Sequence, residues 1–110
     1  MLKRDENGVP VIGLVGRLDL AGAQAIDLKF TSQTSAQKVS TVVDLSGTTF
    51  ISSMGIRVLM QNAKALSLAG QKLVVAGAKG EVAEVLRIAG VTEVIDCFDS
   101  VDEALGALRS

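Results

Sequence analysis

Val39-Ser40-Thr41-Val42-Val43-Asp44-Leu45 runs straight into Ser46-Gly47-Thr48-Thr49-Phe50-Ile51-Ser52-Ser53-Met54-Gly55, and from there into a segment whose apolar residues recur at helical spacing. The first run is β-branched and almost unbroken by charge, as expected of a central strand covered on both faces. From Met54 to Ala69, Ile56, Leu59, Met60, Ala63 and Leu66 mark one side of a helix, with Arg57, Gln61 and Lys64 on the opposite side. Gly70 stops it. A strand that feeds a helix through a short loop is the building unit of an α/β sheet.

Working outward, the same alternation continues in both directions. Upstream, Met1 to Asp5 and Val11 to Val15 read as two strands joined around the Asn7-Gly8 turn, a hairpin. After Gly16-Arg17-Leu18-Asp19 comes a first helix, through Leu20, Ala25, Ile26, Leu28 and Phe30, with Asp19 as its N-cap. Downstream lie a strand at Lys72 to Ala76, a helix from Lys79 to Ala89 ended by Gly90, and a last strand at Glu93 to Phe98. A final helix spans Ser100 to Arg109, where Ser100 and Glu103 form a capping box. The order ββαβαβαβα predicts one α/β domain over residues 1–110. Its sheet should be mixed and mostly parallel, with an N-terminal β-hairpin and about four helices, and with Val39 to Leu45 flanked by the strands at Lys72 and Glu93.

Composition removes several classes of function. The 110 residues include no His, which takes away the commonest general base and metal ligand and argues against an enzyme. The one cysteine, Cys97, forms neither an internal disulfide nor a thiolate cluster. With no leader-like opening and no apolar run near the roughly 18 residues of a membrane span, a cytoplasmic chain is expected. Eleven Lys+Arg balance 12 Asp+Glu, and aromatic residues are 3%, so no basic stacking platform for nucleic acid exists. No cofactor or metal is expected, and a domain that works by binding is.

Three local features could carry chemistry. Gly77-Ala78-Lys79-Gly80 looks like a phosphate loop, but its spacing matches neither the P-loop nor the dinucleotide fingerprint and reads as a strand-to-helix turn. Cys97 alternates with Ile95, which predicts an inert thiol packed on a buried strand face. The third feature is the loop from Asp44 to Gly55, at a strand end where open α/β sheets meet their ligands and partners. Phe50-Ile51 reads as an apolar plug. One of Ser52 and Ser53 is enough to cap the helix; two adjacent serines followed by Met54, read as exposed, and Gly55 point to a contact surface as well.

These segments resemble the STAS domain, a family named for sulphate transporters and anti-sigma factor antagonists, and the resemblance covers nearly the whole chain. Gly16-Arg17-Leu18-Asp19 and the Asp44-Leu45-Ser46 to Ser53-Met54-Gly55 segment are similar to motifs of the stand-alone bacterial antagonists. Gly70 to Gly77 and Leu86 to Val91 resemble the family's closing half. The resemblance implies a regulatory protein that binds an anti-sigma factor acting as a serine kinase, and is switched off when that kinase phosphorylates Ser53. Two strand-end loops lie close in an α/β fold, and this helix carries a basic stripe. The expected partner surface is therefore the Gly16 to Asp19 loop, including Asp19, together with Ser52, Ser53, Met54 and Gly55, with Arg57, Gln61 and Lys64 at or near its rim. Two positions depart from the family pattern: Ser52 stands where an acidic residue is usual, and Met54 where Ser or Thr is frequent. An alternative within the family is the accessory STAS subunit of a bacterial ABC transporter for lipid trafficking, which would use the same helix face without phosphate transfer. A small nucleotide-binding enzyme, resting on the Gly77 loop alone, ranks last.

Overall fold

Asn7 and Gly8 both take positive φ, 55° and 88°, the conformation that a two-residue primed hairpin turn requires and that Asn and Gly tolerate best. They join β1 (Leu2–Glu6) to antiparallel β2 (Val9–Gly13), with Leu2 opposite Gly13 and Glu6 opposite Val9. The structure, a computed structural model, describes residues 1–109. After the hairpin come β3 (Gly16–Leu18), α1 (Leu20–Gln33), β4 (Thr41–Asp44), β5 (Thr48–Ile51) and α2 (Ser53–Leu68). Then follow β6 (Leu73–Ala76), α3 (Gly80–Ile88), β7 (Cys97–Phe98) and α4 (Val101–Arg109).

Five strands form one sheet in the order β1-β2-β4-β6-β7, antiparallel only between β1 and β2. The β-branched run supplies the middle strand, and Val42 and Val43 are completely buried. Its neighbours differ from expectation on one side. β6 pairs with β4 as expected, but the other flank is β2, and β7 pairs with β6 instead. The crossover through α1 is long enough to lay β2 parallel beside β4, so the last strand takes the free edge of β6.

Strand alternation splits the core in two. Ile12, Val43 and Val75 face Phe30 of α1, Leu59 and Leu66 of α2, and Val82 and Leu86 of α3. Val11, Val42 and Val74 face Ala104 and Leu105 of α4 on the other side. The hydroxyl half of the expected capping box is present at the start of α4, with the Glu103 N–H donating to Ser100 Oγ at 3.1 Å.

A polar knot ties α1 to α2 inside the larger core. Asn62, 2% exposed, accepts at Oδ1 from the hydroxyls of Thr34 (2.6 Å) and Ser35 (2.8 Å). Its Nδ2 donates to Thr31 Oγ1 (3.2 Å) and to the Val58 carbonyl (2.8 Å). Both ends of the amide are therefore fully used.

Two strands escape the sequence reading. β3 and β5 form a separate parallel pair, with Arg17 beside Phe50 and Leu18 beside Ile51. They span three and four residues and carry Gly, Arg and Thr, too short and mixed to display a period. The last strand is also shorter than expected. Gly90, at φ 79°, starts a 3-10 turn over Val91–Glu93, and only Cys97 and Phe98 pair with the sheet.

That shortening corrects the reading of Cys97. Ile95 is buried, but it precedes the strand, so no two-residue alternation carries over from it and Cys97 lies at the surface. The thiol is turned back to donate to the Ile95 carbonyl at 3.5 Å. Partial burial of the sulfur, and then the Asp96 charge, push its pKa up, which disfavours the thiolate. The Gly77 to Gly80 segment is the expected turn from β6 into α3.

Candidate functional site

The small β3–β5 pair is what assembles the site, because it holds the end of one loop against the start of α2. The Ser52 N–H donates to the Leu18 carbonyl at 2.8 Å, extending the ladder by one bond. Three residues further along, Gly55 is buried; a Cβ there would lie 2.8 Å from Ile51 Cγ1 and 3.3 Å from the Leu18 carbonyl oxygen. Only a residue without a side chain lets the helix start this close to the strands.

Both loops then enter helices through caps. Asp19 Oδ1 accepts from the Gly22 N–H at 2.8 Å, the N-cap expected from the sequence. Gly22 in turn has no room for a side chain: a Cβ would lie 2.4 Å from the Arg17 carbonyl oxygen. Gly22→Ala should therefore cost about 1–3 kcal/mol from overpacking, more than the 0.8–1.0 kcal/mol that alanine's helix propensity returns. Urea unfolding at pH 7 would measure it, and a variant more stable than wild type would contradict the contact.

At α2 the two serines divide the work. Ser52 is the N-cap, with extended backbone (φ −93°, ψ 174°), and its Oγ accepts from the Gly55 N–H at 3.3 Å. Ser53 is the first helical residue and is exposed, and among the described residues its hydroxyl has no hydrogen-bond partner. It is not needed for the cap. Arg57, Gln61 and Lys64 are exposed and follow Ser53 along one side of α2, within an arc of about 80° at 100° per residue.

Two expected surface residues turn inward. Met54 is half-buried and packs against the main core, and Gly55 is buried against Leu18 and Ile51. The helix meets the strands along that side, so neither presents an open apolar start to a partner. Asp19 is partly buried beside the site.

Sequence reasoning put the Gly16 to Asp19 loop in the partner surface and read Phe50 as part of an apolar plug, but it missed the contact between Arg17 and Phe50. The Arg17 guanidinium lies 4.3 Å from the centre of the Phe50 ring, and its Nε is 3.9 Å from Asp19 Oδ2. Exposed Val15 and Leu20 flank this pair along the chain. The detectable signal was the equal stagger of Arg17-Leu18 and Phe50-Ile51 before their helices, which is the register of the short ladder.

A STAS domain model matches residues 1–104. The chain belongs to the STAS domain family. It is 28% identical over 104 residues to BtrV of Bordetella bronchiseptica, described as an anti-sigma factor antagonist, covering 94% of this chain and 90% of that protein. It is 26% identical over 106 residues to RsfB of Mycobacterium tuberculosis, an anti-sigma-F factor antagonist, covering 96% and 85%. A crystal structure of an anti-sigma factor antagonist from Mycobacterium paratuberculosis matches with a TM-score of 0.89 at 24% identity, over 99% of this chain and 92% of that one.

Within this STAS domain, position 52 acquires a physical role. The resemblance puts an acidic residue there, and the geometry makes it the N-cap, a position at which Asp and Ser perform alike. Ser52 thus keeps the cap and drops the charge. Ser52→Ala should lower stability by about 1 kcal/mol, whereas Ser53→Ala should stay within about 0.5 kcal/mol of wild type. Parallel thermal melts of the two variants would reveal the asymmetry; equal losses would contradict the division of roles.

Proposed function

We propose that this STAS domain is an anti-sigma factor antagonist: it binds an anti-sigma factor that is also a serine kinase, and phosphorylation of Ser53 ends the interaction. The observation that carries the reading is the Ser53 hydroxyl, exposed and unbonded at the first position of α2, next to a serine that has already taken the cap. The partner supplies ATP and the phosphoryl-transfer machinery, and this chain supplies the acceptor. The docking surface is the Arg17–Phe50 pair, Asp19, the Ser52-Ser53 step and the outward stripe of Arg57, Gln61 and Lys64. The setting is the cytoplasm, where ATP and sigma factors are found.

A phosphate on Ser53 suits the isolated domain and not a docked one. It adds about −1.5 to −2 charges at pH 7. At the start of α2 that charge meets unpaired N–H groups and the positive end of the helix dipole, worth roughly 0.3–1 kcal/mol when exposed. Against a partner, the same bulky and strongly hydrated group must be stripped of water.

The test is a pull-down from the source organism with wild type and Ser53→Asp, read by mass spectrometry. Recovery of a serine kinase with wild type and its loss with Ser53→Asp is expected. A transporter ATPase recovered equally by both forms would replace this reading with the accessory-subunit one. Arg57 at the rim should act mainly through association rate. Arg57→Glu is thus expected to weaken kinase binding more at low salt than at high salt, and salt-independent affinity would remove Arg57 from the interface.

A further inference from the structure

The outer edge of β6 is only half covered. β7 pairs with Val75 and Ala76, and the chain before it turns away through the 3-10 turn at Val91–Glu93 instead of continuing beside Leu73. The gap is a groove of about 640 Å³ at the C-terminal half of α2, between that helix, the start of β6 and the Val94–Asp96 segment. Its size and mainly apolar lining fall within the range of small-molecule sites. Met60, Ala63, Leu68, Leu73 and Val94 form the apolar surface. Leu68 and Val94 are 82% and 65% exposed, so apolar surface stands open to water here.

Charge at the groove is uneven. Lys64 and Lys72 border it, and neither ammonium group makes an ion pair among the described residues. Asp96 is the one carboxylate on the lining. An apolar trough bordered by two ammonium groups and one carboxylate carries a net positive charge, complementary to a molecule with an acyl chain and a single anionic head. We propose that this groove binds a free long-chain carboxylate, with the chain along Met60, Leu68, Leu73 and Val94 and the head at Lys64 and Lys72. The site lies on the C-terminal half of α2, whereas Ser53 starts that helix, which is about 24 Å long. It shares Gln61 and Lys64 with the docking stripe, and the Ser53 hydroxyl takes no part in it.

Dodecanoate and the uncharged dodecanol, both kept below their aggregation concentrations, test it by calorimetric titration and by amide chemical shifts. Dodecanoate should saturate the protein, shift the Leu73 and Val94 amides and leave Ser53 unmoved. Dodecanol should bind about tenfold more weakly, the worth of a charge-assisted contact. Lys64→Gln with Lys72→Gln should erase that difference. Asp96→Asn, which removes the opposing charge, should tighten dodecanoate a few-fold and leave dodecanol unchanged. Leu68→Asp changes an exposed side chain, so the fold should survive and carboxylate binding should fall at least tenfold. Equal affinity for the acid and the alcohol, shifts centred away from Leu73, or no saturation at all would overturn the proposal.

Discussion

Asn62→Asp should cost the fold about 3 kcal/mol at neutral pH, and most of that loss should be recovered as the pH is lowered toward about 4. The wild-type amide meets two hydroxyl donors at one end and a hydroxyl oxygen and a carbonyl at the other. An ionised aspartate keeps the first pair of bonds. At the other end it sets a charged oxygen where an N–H donated 2.8 Å to the Val58 carbonyl, with no water to screen the repulsion. Protonation restores a donor at that end. The folded state therefore holds the proton more tightly than the unfolded chain does, and the carboxyl's pKa is raised on folding. Stability is then fully present below the ordinary aspartate pKa of about 3.9 and is lost as pH rises through the folded-state value. Urea unfolding of variant and wild type across pH 4 to 7, read as the difference between them, checks this. A difference that does not change with pH would mean that Asn62 is not enclosed as described.

Ser53→Asp should melt within a degree or two of wild type yet bind the proposed kinase partner at least tenfold more weakly. Negative charge in the first turn of a helix is favoured by the dipole, so folding has nothing to lose. At an interface the carboxylate must be desolvated without a prepared basic partner, and burying an unpaired charge costs several kcal/mol, of which 1.4 kcal/mol is already tenfold. Aspartate carries only part of a phosphate's charge, so phosphoserine should weaken binding further. Ser53→Ala should bind as well as wild type and stay bound in the presence of ATP. Undiminished binding by Ser53→Asp, or a loss traceable to unfolding, would contradict the switch.

The parts of the fold that were legible in the sequence are those whose pattern repeats over enough residues. Val39 to Leu45 announces a middle strand because four of its first five residues are β-branched, and the period of α2 separates Leu59 and Leu66 from Arg57 and Lys64. Asp19 is readable as a cap because it stands directly before an apolar-periodic segment. The short β3–β5 pair was not readable, since its strands match by spatial register and not by any internal period. Asn62 was hidden for a related reason. A polar residue on an apolar helix face has no meaning until Thr31 of α1, and Thr34 and Ser35 of the turn that ends it, are brought to it. At the site, the serine pair and its neighbours were visible, but which serine caps and which is free depends on where α2 begins, a boundary of one residue. Met54 and Gly55 turned out to face inward because β3 lies where no sequence pattern had put a strand.

The most direct measurement is the position of the phosphate after the protein is incubated with ATP and the kinase recovered in the pull-down, read by fragmentation mass spectrometry on wild type, Ser52→Ala and Ser53→Ala. A single phosphate on Ser53 in wild type and in Ser52→Ala, with none on Ser53→Ala, is the predicted result. Phosphate on Ser52, or on Ser53→Ala at any site with the same efficiency, would contradict the assignment of Ser52 as cap and Ser53 as acceptor.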